Sequence, residues 1–187
     1  MTDTTNDRLT LQHRAYRPDD LDTVVALHER AFAVLAKSHY SPDRIAAHTA
    51  LVRDPAYAEE LARSHLRLAF ERPGVLAATA GWIRVPGLAP GVPKTARIRK
   101  VFVDPRFARR GIARWMVSDT ERRAWKQGCR AFIVRVTVNA VPLYEKLGYE
   151  ATGDATMLTS TGADLPVVLM ARTTPPAALA EEPKSLD

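Results

Sequence analysis

Arg109, Arg110, Gly111 and Arg114 stand together at the head of a long amphipathic run, a grouping suited to holding a multiply charged anion. The first turn of an α-helix has backbone N–H groups without intrahelical partners, and the aligned peptide dipoles add partial positive charge there. Phosphate is a natural ligand of such an end. Gly111 lets a ligand approach the backbone with no Cβ in the way, and the arginines add full charges beside it. Upstream, Arg99-Lys100-Val101-Phe102-Val103-Asp104-Pro105 is an apolar β-type run closed by a proline turn, so a strand delivers the chain to this site.

The elements around that loop repeat the pattern. The helix closes at Gly128, residues 131–138 read as a second buried strand, and 139–149 as a short helix ended by Gly148. Strand, helix, strand, helix is a βαβ unit and predicts a parallel strand pair. Nothing about making the last helix demands Asn139 or Tyr144.

In this order the residues resemble the GNAT superfamily of acetyl-CoA-dependent N-acyltransferases, and the likeness extends more loosely over residues 9–172. The family's phosphate loop follows a Gln/Arg-x-x-Gly-x-Gly/Ala pattern, which falls here on Ala108, Arg109, Arg110, Gly111, Ile112 and Ala113. Alanine in the first position removes one polar contact, while Gly111 and Ala113 keep the backbone cradle. The resemblance implies an α/β (α+β) fold with a central mixed sheet of about seven strands flanked by helices, in which parallel strands four and five splay apart. It implies acetyl-CoA as cosubstrate, held by Arg109, Arg110, Gly111, Ile112, Ala113 and Arg114 at the helix start. Main-chain groups of Val101, Phe102 and Val103 on strand four would take the pantetheine arm and polarise the carbonyl. Asn139 either contacts that arm or caps its helix, and the two are compatible.

Acetyl transfer from a thioester to an amine needs a held carbonyl, a neutral amine and a proton for the departing thiolate. The resemblance gives that proton to Tyr144, because a phenol with an ordinary pKa of about 10 stays protonated at neutral pH. Many relatives carry a glutamate on strand four as general base; here the position is Arg97, which cannot accept a proton at physiological pH. His28, Glu29, His39 and Glu71 are unranked replacements, with solvent as the remaining route. Arg97 and Arg99 suit a carboxylate or phosphate on the acceptor. Phe32, His39 and Tyr40 are expected around the acceptor pocket.

The elements that must carry these groups follow in turn. Alternation over 9–16 predicts a first strand, and Leu21, Val24, Val25, Leu27, Phe32 and Leu35 mark the broad apolar face of a first helix. Ser41-Pro42-Asp43 and Asp54-Pro55 each offer a helix start with proline in the first position, for helices reaching about Val52 and His65. Residues 66–70 and 75–85 form a hairpin turned at Arg72-Pro73-Gly74, in which Gly81 marks a bend or a close approach. Residues 86–93 are an extended loop and 96–103 are strand four. Ile112, Ala113, Met116, Val117 and Ala124 face inward from the next helix, with Trp115 and Trp125 as flanking packing groups. Tyr149 belongs to the core, and 150–158 with 165–172 close the sheet as a hairpin around Ser160-Thr161-Gly162.

A chain of 187 residues, 46% hydrophobic, suits one domain over 9–172, with 1–8 and 173–187 expected to be disordered. No apolar run approaches the roughly 20 residues of a membrane span, and the polar start lacks signal character, which points to the cytoplasm. Cys129 stands alone, so neither an internal disulfide nor a multi-thiolate metal site is expected. The net charge of +6 and pI near 9.8 attract polyanions, so nucleic acid has to be weighed. The densest arginine group lies at the phosphate loop, however, and a phosphorylated cofactor explains it more economically.

The leading reading is an N-acetyltransferase that moves an acetyl group from acetyl-CoA to a primary amine of a small molecule, peptide or protein, with a homodimer left open. The alternatives are a non-catalytic basic module that binds CoA or RNA on the same fold, and acetylation of aminoacyl-tRNA. Tyr144 separates them, since a module without catalysis has no use for a phenol beside a thioester.

Overall fold

Residues 11–86, 93–159, 162–173 and 175 are described by a computed structural model of the chain. Seven strands form one sheet in the order β1-β2-β3-β4-β5-β7-β6. They are β1 (Gln12–Ala15), β2 (Arg67–Arg72), β3 (Val75–Val85), β4 (Thr95–Val103), β5 (Ala131–Thr137), β6 (Glu150–Leu158) and β7 (Asp164–Arg172). Every neighbouring pair is antiparallel except β4–β5, which the helix α4 (Ile112–Lys126) joins as a parallel crossover.

Three helices precede β2, and local chemistry starts two of them. In α1 (Leu21–Leu35), Val24, Leu27 and Ala31 recur at helical spacing and are buried. Ser41 opens α2 (Pro42–Arg53) by accepting from the Arg44 N–H, and Asp54 opens α3 (Pro55–Arg63) by accepting from the Ala56 N–H. Strand parity then divides the core between the two faces of the sheet. Leu68 on β2 packs with Val24, Leu27 and Leu61 from α1 and α3, whereas its neighbour Ala69 packs with Ile112 and Met116 of α4.

One irregularity breaks that parity in β4. Thr79 pairs with Phe102 but Gly81 pairs with Arg99, so Ala80 faces two residues, Lys100 and Val101. This is a β-bulge, and Lys100 takes a left-handed φ of +57° to make it. A non-glycine residue there costs on the order of 1 kcal/mol. The bulge turns the consecutive Arg99 and Lys100 toward α3 and returns Val101 to the α4 side.

Several expectations shift in detail. The first strand is short, Gln12–Ala15, with Leu9 and Thr10 outside the described residues, and β2 runs on to Arg72. Gly81 is a close approach: a Cβ there would lie 3.0 Å from Leu66 Cα. The inward face of α4 also carries Asp119, Thr120 and Glu121, a buried polar stretch that its charged surroundings concealed, while Ala113 is only half-buried. A 3-10 turn, Val138–Ala140, precedes α5 (Val141–Lys146), so Asn139 does not cap its helix; its Nδ2 donates instead to Leu35 O at the end of α1. Most of the 86–93 loop, Ser160 and Thr161 of the last turn, and both terminal segments apart from Thr173 and Pro175 lie outside the described residues.

Candidate active site

The parallel strands part company early. Pairing of β4 with β5 runs from Thr95–Ala131 to Ile98–Val134 and stops, although β4 continues to Val103 and β5 to Thr137. From Arg99 onward the edge of β4 that faces β5 therefore has no strand partner. A cavity of about 520 Å³ fills the gap. Its walls come from both faces of the sheet, since Val136 and Tyr144 belong to the core on the α4 side while Phe32 and Tyr57 belong to the helices opposite.

The side opposite α4 is charged. Lys100 Nζ lies 2.7 Å from Glu60 Oε2 and 3.6 Å from the centre of the Tyr57 ring, and the guanidinium of Arg99 reaches the same oxygen. Burial brings the Lys100 ammonium down to about 8, with Glu60 pulling it the other way. His48 of α2 stacks on Phe32 and has a buried Nδ1 without a hydrogen-bond partner among the described residues; burial, then Lys100, lowers its pKa to about 4.

Behind Phe102 a network of buried side chains holds the bulge. Thr79 donates its hydroxyl proton to the Lys100 carbonyl (2.7 Å), so it accepts from the His28 Nε2–H (2.8 Å), and His28 Nδ1 accepts from the Tyr57 hydroxyl (2.7 Å). Burial and then Lys100 push the His28 pKa far down, in keeping with this neutral tautomer. Phe102 stacks on the same imidazole with ring centroids 4.0 Å apart.

Past Val103 the chain is pinned by Asp104, whose carboxylate is fully buried. It accepts from the Arg106 backbone N–H (2.9 Å), from the Arg106 guanidinium, and from Arg30 of α1 (2.6 Å). Burial alone would raise this carboxyl, but these donors outweigh it and hold it at about 2. From this anchor the chain passes Arg109 (φ +64°) and Gly111 (φ +79°) into α4. Arg109, Arg110 and Arg114 are exposed, and no atom lies within 4 Å of where a Cβ on Gly111 would be. Ile112 is buried in the core and Ala113 half-buried against it, so what they can offer a ligand at this loop is their backbone. An unpaired strand edge and an open, cationic helix start both fit a phosphorylated cofactor with an amide-bearing arm.

Tyr144 lines the cavity at the far side of the split. Its ring meets that of Tyr149 edge-on, centroids 5.2 Å apart, and the Tyr149 hydroxyl donates to Glu121 Oε1 (2.7 Å). Arg172 reaches the other carboxylate oxygen of Glu121 at 3.2 Å. Burial, then the Glu121 charge, raises the Tyr144 phenol well above its ordinary value, so it is protonated throughout the physiological range.

The structure thus brings Val101, Phe102 and Tyr144 into one cavity and sets the arginine loop at the end of the same strand. Val103 and Asn139 are not in its wall; Val103 packs in the core against α4. None of the base candidates lines the cavity. His28 is sealed behind Phe102, Glu29 pairs with Arg53, His39 meets Ser38, and Glu71 sits beside Arg72. Of the residues expected to meet the acceptor, Phe32, Arg97 and Arg99 line the cavity while His39 and Tyr40 do not; the Tyr40 hydroxyl is spent on Pro166 O (2.6 Å) and the Val138 N–H (3.0 Å). His48, Tyr57 and Glu60 take their place, and no local motif announces them because packing alone gathers α2 and α3 onto β4.

A family model for the acetyltransferase (GNAT) domain matches residues 36–159. The chain belongs to the GNAT family. This GNAT protein is 28% identical to the uncharacterised N-acetyltransferase YafP of Escherichia coli over 144 residues, which span 75% of the chain and 81% of YafP. Its fold is that of a GCN5-related N-acetyltransferase from Rhodopseudomonas palustris (TM-score 0.75, 22% identity, 88% of this chain and 96% of that one). It is also that of the PaiA N-acetyltransferase from Thermoplasma acidophilum, solved with coenzyme A (TM-score 0.64, 14% identity, 88% and 99%). YncA of Salmonella typhimurium, solved with acetyl-CoA, shares the fold at TM-score 0.57 and 16% identity over 95% and 98% of the chains. Among the described residues of the GNAT chain, no helix is long and apolar enough to cross a membrane.

Proposed function

We propose that the chain is an acetyl-CoA-dependent N-acetyltransferase acting on a primary amine. The observation that carries this reading is the presence of the Tyr144 phenol and the unpaired edge of β4 at Val101 and Phe102 in one cavity. Arg109, Arg110, Arg114 and the backbone from Gly111 to Ala113 would hold the diphosphate at the start of α4. Bound there, acetyl-CoA supplies an acetyl thioester. Backbone donors on the free edge of β4 would stabilise the negative charge that grows on the acyl oxygen, and being preorganised they would cost no rearrangement during reaction.

The four base candidates read from the sequence are absent from the cavity, and its charge offers another route. Arg97, Arg99, Lys100 and Arg135 line it against the single carboxylate of Glu60, and nearby cations disfavour an ammonium ion. The acceptor amine therefore loses its proton to solvent more readily in the cavity than outside. Its nitrogen forms the new N–C bond and releases its surplus proton to solvent, the C–S bond breaks, and Tyr144 Oη would give a proton to the departing sulfur and regain one from solvent. A phenol kept protonated beside that edge favours catalysis over a binding-only module.

The test is calorimetry with acetyl-CoA followed by thiol release on mixing with a panel of amines. Binding with turnover on at least one amine supports the reading. Saturable binding with no turnover on any amine would favour the binding module, and indifference to both coenzyme A and acetyl-CoA would end the assignment.

A further inference from the structure

The charge on the acceptor side of the cavity exceeds what the cofactor requires. Glu60 serves Arg99 and Lys100, while Arg97 and Arg135, which also line the cavity, have no carboxylate partner among the described residues. Arg97 pairs across the ladder with Ile133, and Arg135 is two residues further along β5 on the same face. The two guanidinium groups thus flank the point where the strands separate. Their crowding is felt: burial first, then Arg135 and Arg99, lowers the Arg97 pKa.

Coenzyme A phosphates do not account for this pair. Their cradle begins beyond Val103, at the start of a helix packed on the other face, and Arg97 lies six residues back along β4, about 20 Å at the rise of a strand. What reaches the separation point in the proposed complex is the neutral thioester end. A half-buried Arg97 and an exposed Arg135 without counter-charges in a concave site call for an anion of their own, and guanidinium matches carboxylate and phosphoryl oxygens in paired hydrogen bonds.

We propose that the acceptor is an anionic amine whose carboxylate or phosphoryl group sits on Arg97 and Arg135 while its amino group enters the gap between β4 and β5. The proposal rests on the acetyltransferase reading and narrows it to a substrate class. Glu60 keeps Arg99 and Lys100 occupied, so the free pair is the one that selects.

Matched acceptors test it: an amino acid against the amine left by removing its carboxylate, and O-phosphoethanolamine against ethanolamine, so that each arm reports one anion. The expected result is a kcat/KM at least about 30-fold higher for the anionic member of one pair or both. In Arg97→Gln and in Arg135→Glu that ratio collapses to within about threefold of unity, Arg97→Lys restores most of it, and the acetyl-CoA dissociation constant moves by less than about twofold in each. Arg135 is exposed, so its replacement spares the fold. Neutral members that match or beat the anionic ones in both pairs would overturn the proposal, as would a preference that survives both Arg97→Gln and Arg135→Glu. Wild-type protein that fails to bind acetyl-CoA would overturn the acetyltransferase reading and this one with it.

Discussion

Lys100 shares one carboxylate oxygen of Glu60 with its sequence neighbour Arg99, the Lys100 Nζ at 2.7 Å. Adjacent residues of a regular strand point to opposite faces, so the sharing exists only because the bulge opposite Ala80 places both on one side. The ammonium so placed meets the Tyr57 ring as well as the carboxylate, at a residue whose backbone is left-handed.

The same burial gives Lys100 a signature in pH. Its pKa falls from 10.5 to about 8 on folding, so between these values the unfolded chain carries a proton that the folded one has lost. On this group's account stability is flat below about 8 and rises with pH through the window. Urea unfolding of wild type and Lys100→Met at pH 7 and pH 10 should show the wild-type-minus-variant difference rising by on the order of 2 kcal/mol. A difference that stays level or falls would contradict the burial argument.

Tyr144→Phe removes the proposed proton donor and little else, because the ring, not the hydroxyl, meets Tyr149. We expect kcat to fall by about two to four orders of magnitude with acetyl-CoA affinity retained. Steady-state rates alongside calorimetry check this, and a kcat within about threefold of wild type would remove Tyr144 from the chemistry.

Asp104 should govern the acid side. Its carboxyl is held at about 2 against an ordinary 3.8, so its contribution is complete above the higher value and disappears as pH falls through the lower one. Asp104→Ala should cost about 1–3 kcal/mol at pH 7, since Arg30 and Arg106 are solvated enough to survive the loss. The variant's deficit should then shrink between pH 4 and pH 2 in acid unfolding curves. A deficit independent of pH would mean the carboxylate is not the anchor described.

Gly111→Ala separates backbone strain from ligand space. Nothing crowds a Cβ there, so the folded protein should lose only about 1 kcal/mol for the left-handed φ. That same Cβ projects into the space a diphosphate would use, and acetyl-CoA should bind about tenfold more weakly. Thermal melts and calorimetry on the variant measure the two effects apart; unchanged affinity would move the phosphate site elsewhere.

What could be read from residues alone was whatever depends on near neighbours in the chain. Ser41 and Asp54 announce their helices because caps act over two or three residues, and the turn at Pro73-Gly74 follows from backbone preference. The phosphate loop and Tyr144 belong to one contiguous βαβ stretch. The acceptor wall was hidden because His48, Tyr57 and Glu60 meet β4 only through packing across some forty residues or more. Lys100 gives no local hint of a left-handed backbone, and Glu121, set among arginines in Glu121-Arg122-Arg123, resembles a solvated face while lying fully buried under Tyr149.

The four residue pairs from Thr95–Ala131 to Ile98–Val134 make the sheet a hinge-bound book, with β1 to β4 and α4 as one cover and β5 to β7 with α5 as the other. The arginine loop belongs to the first cover and the phenol to the second. In the proposed reaction, alignment of donor and acid would rest on this short spine, on the core that packs Ile98 and Val117 against Val134 and Tyr144, and on the Glu121–Tyr149 clasp, and loosening the clasp should blunt turnover before it unseats the nucleotide end of the cofactor.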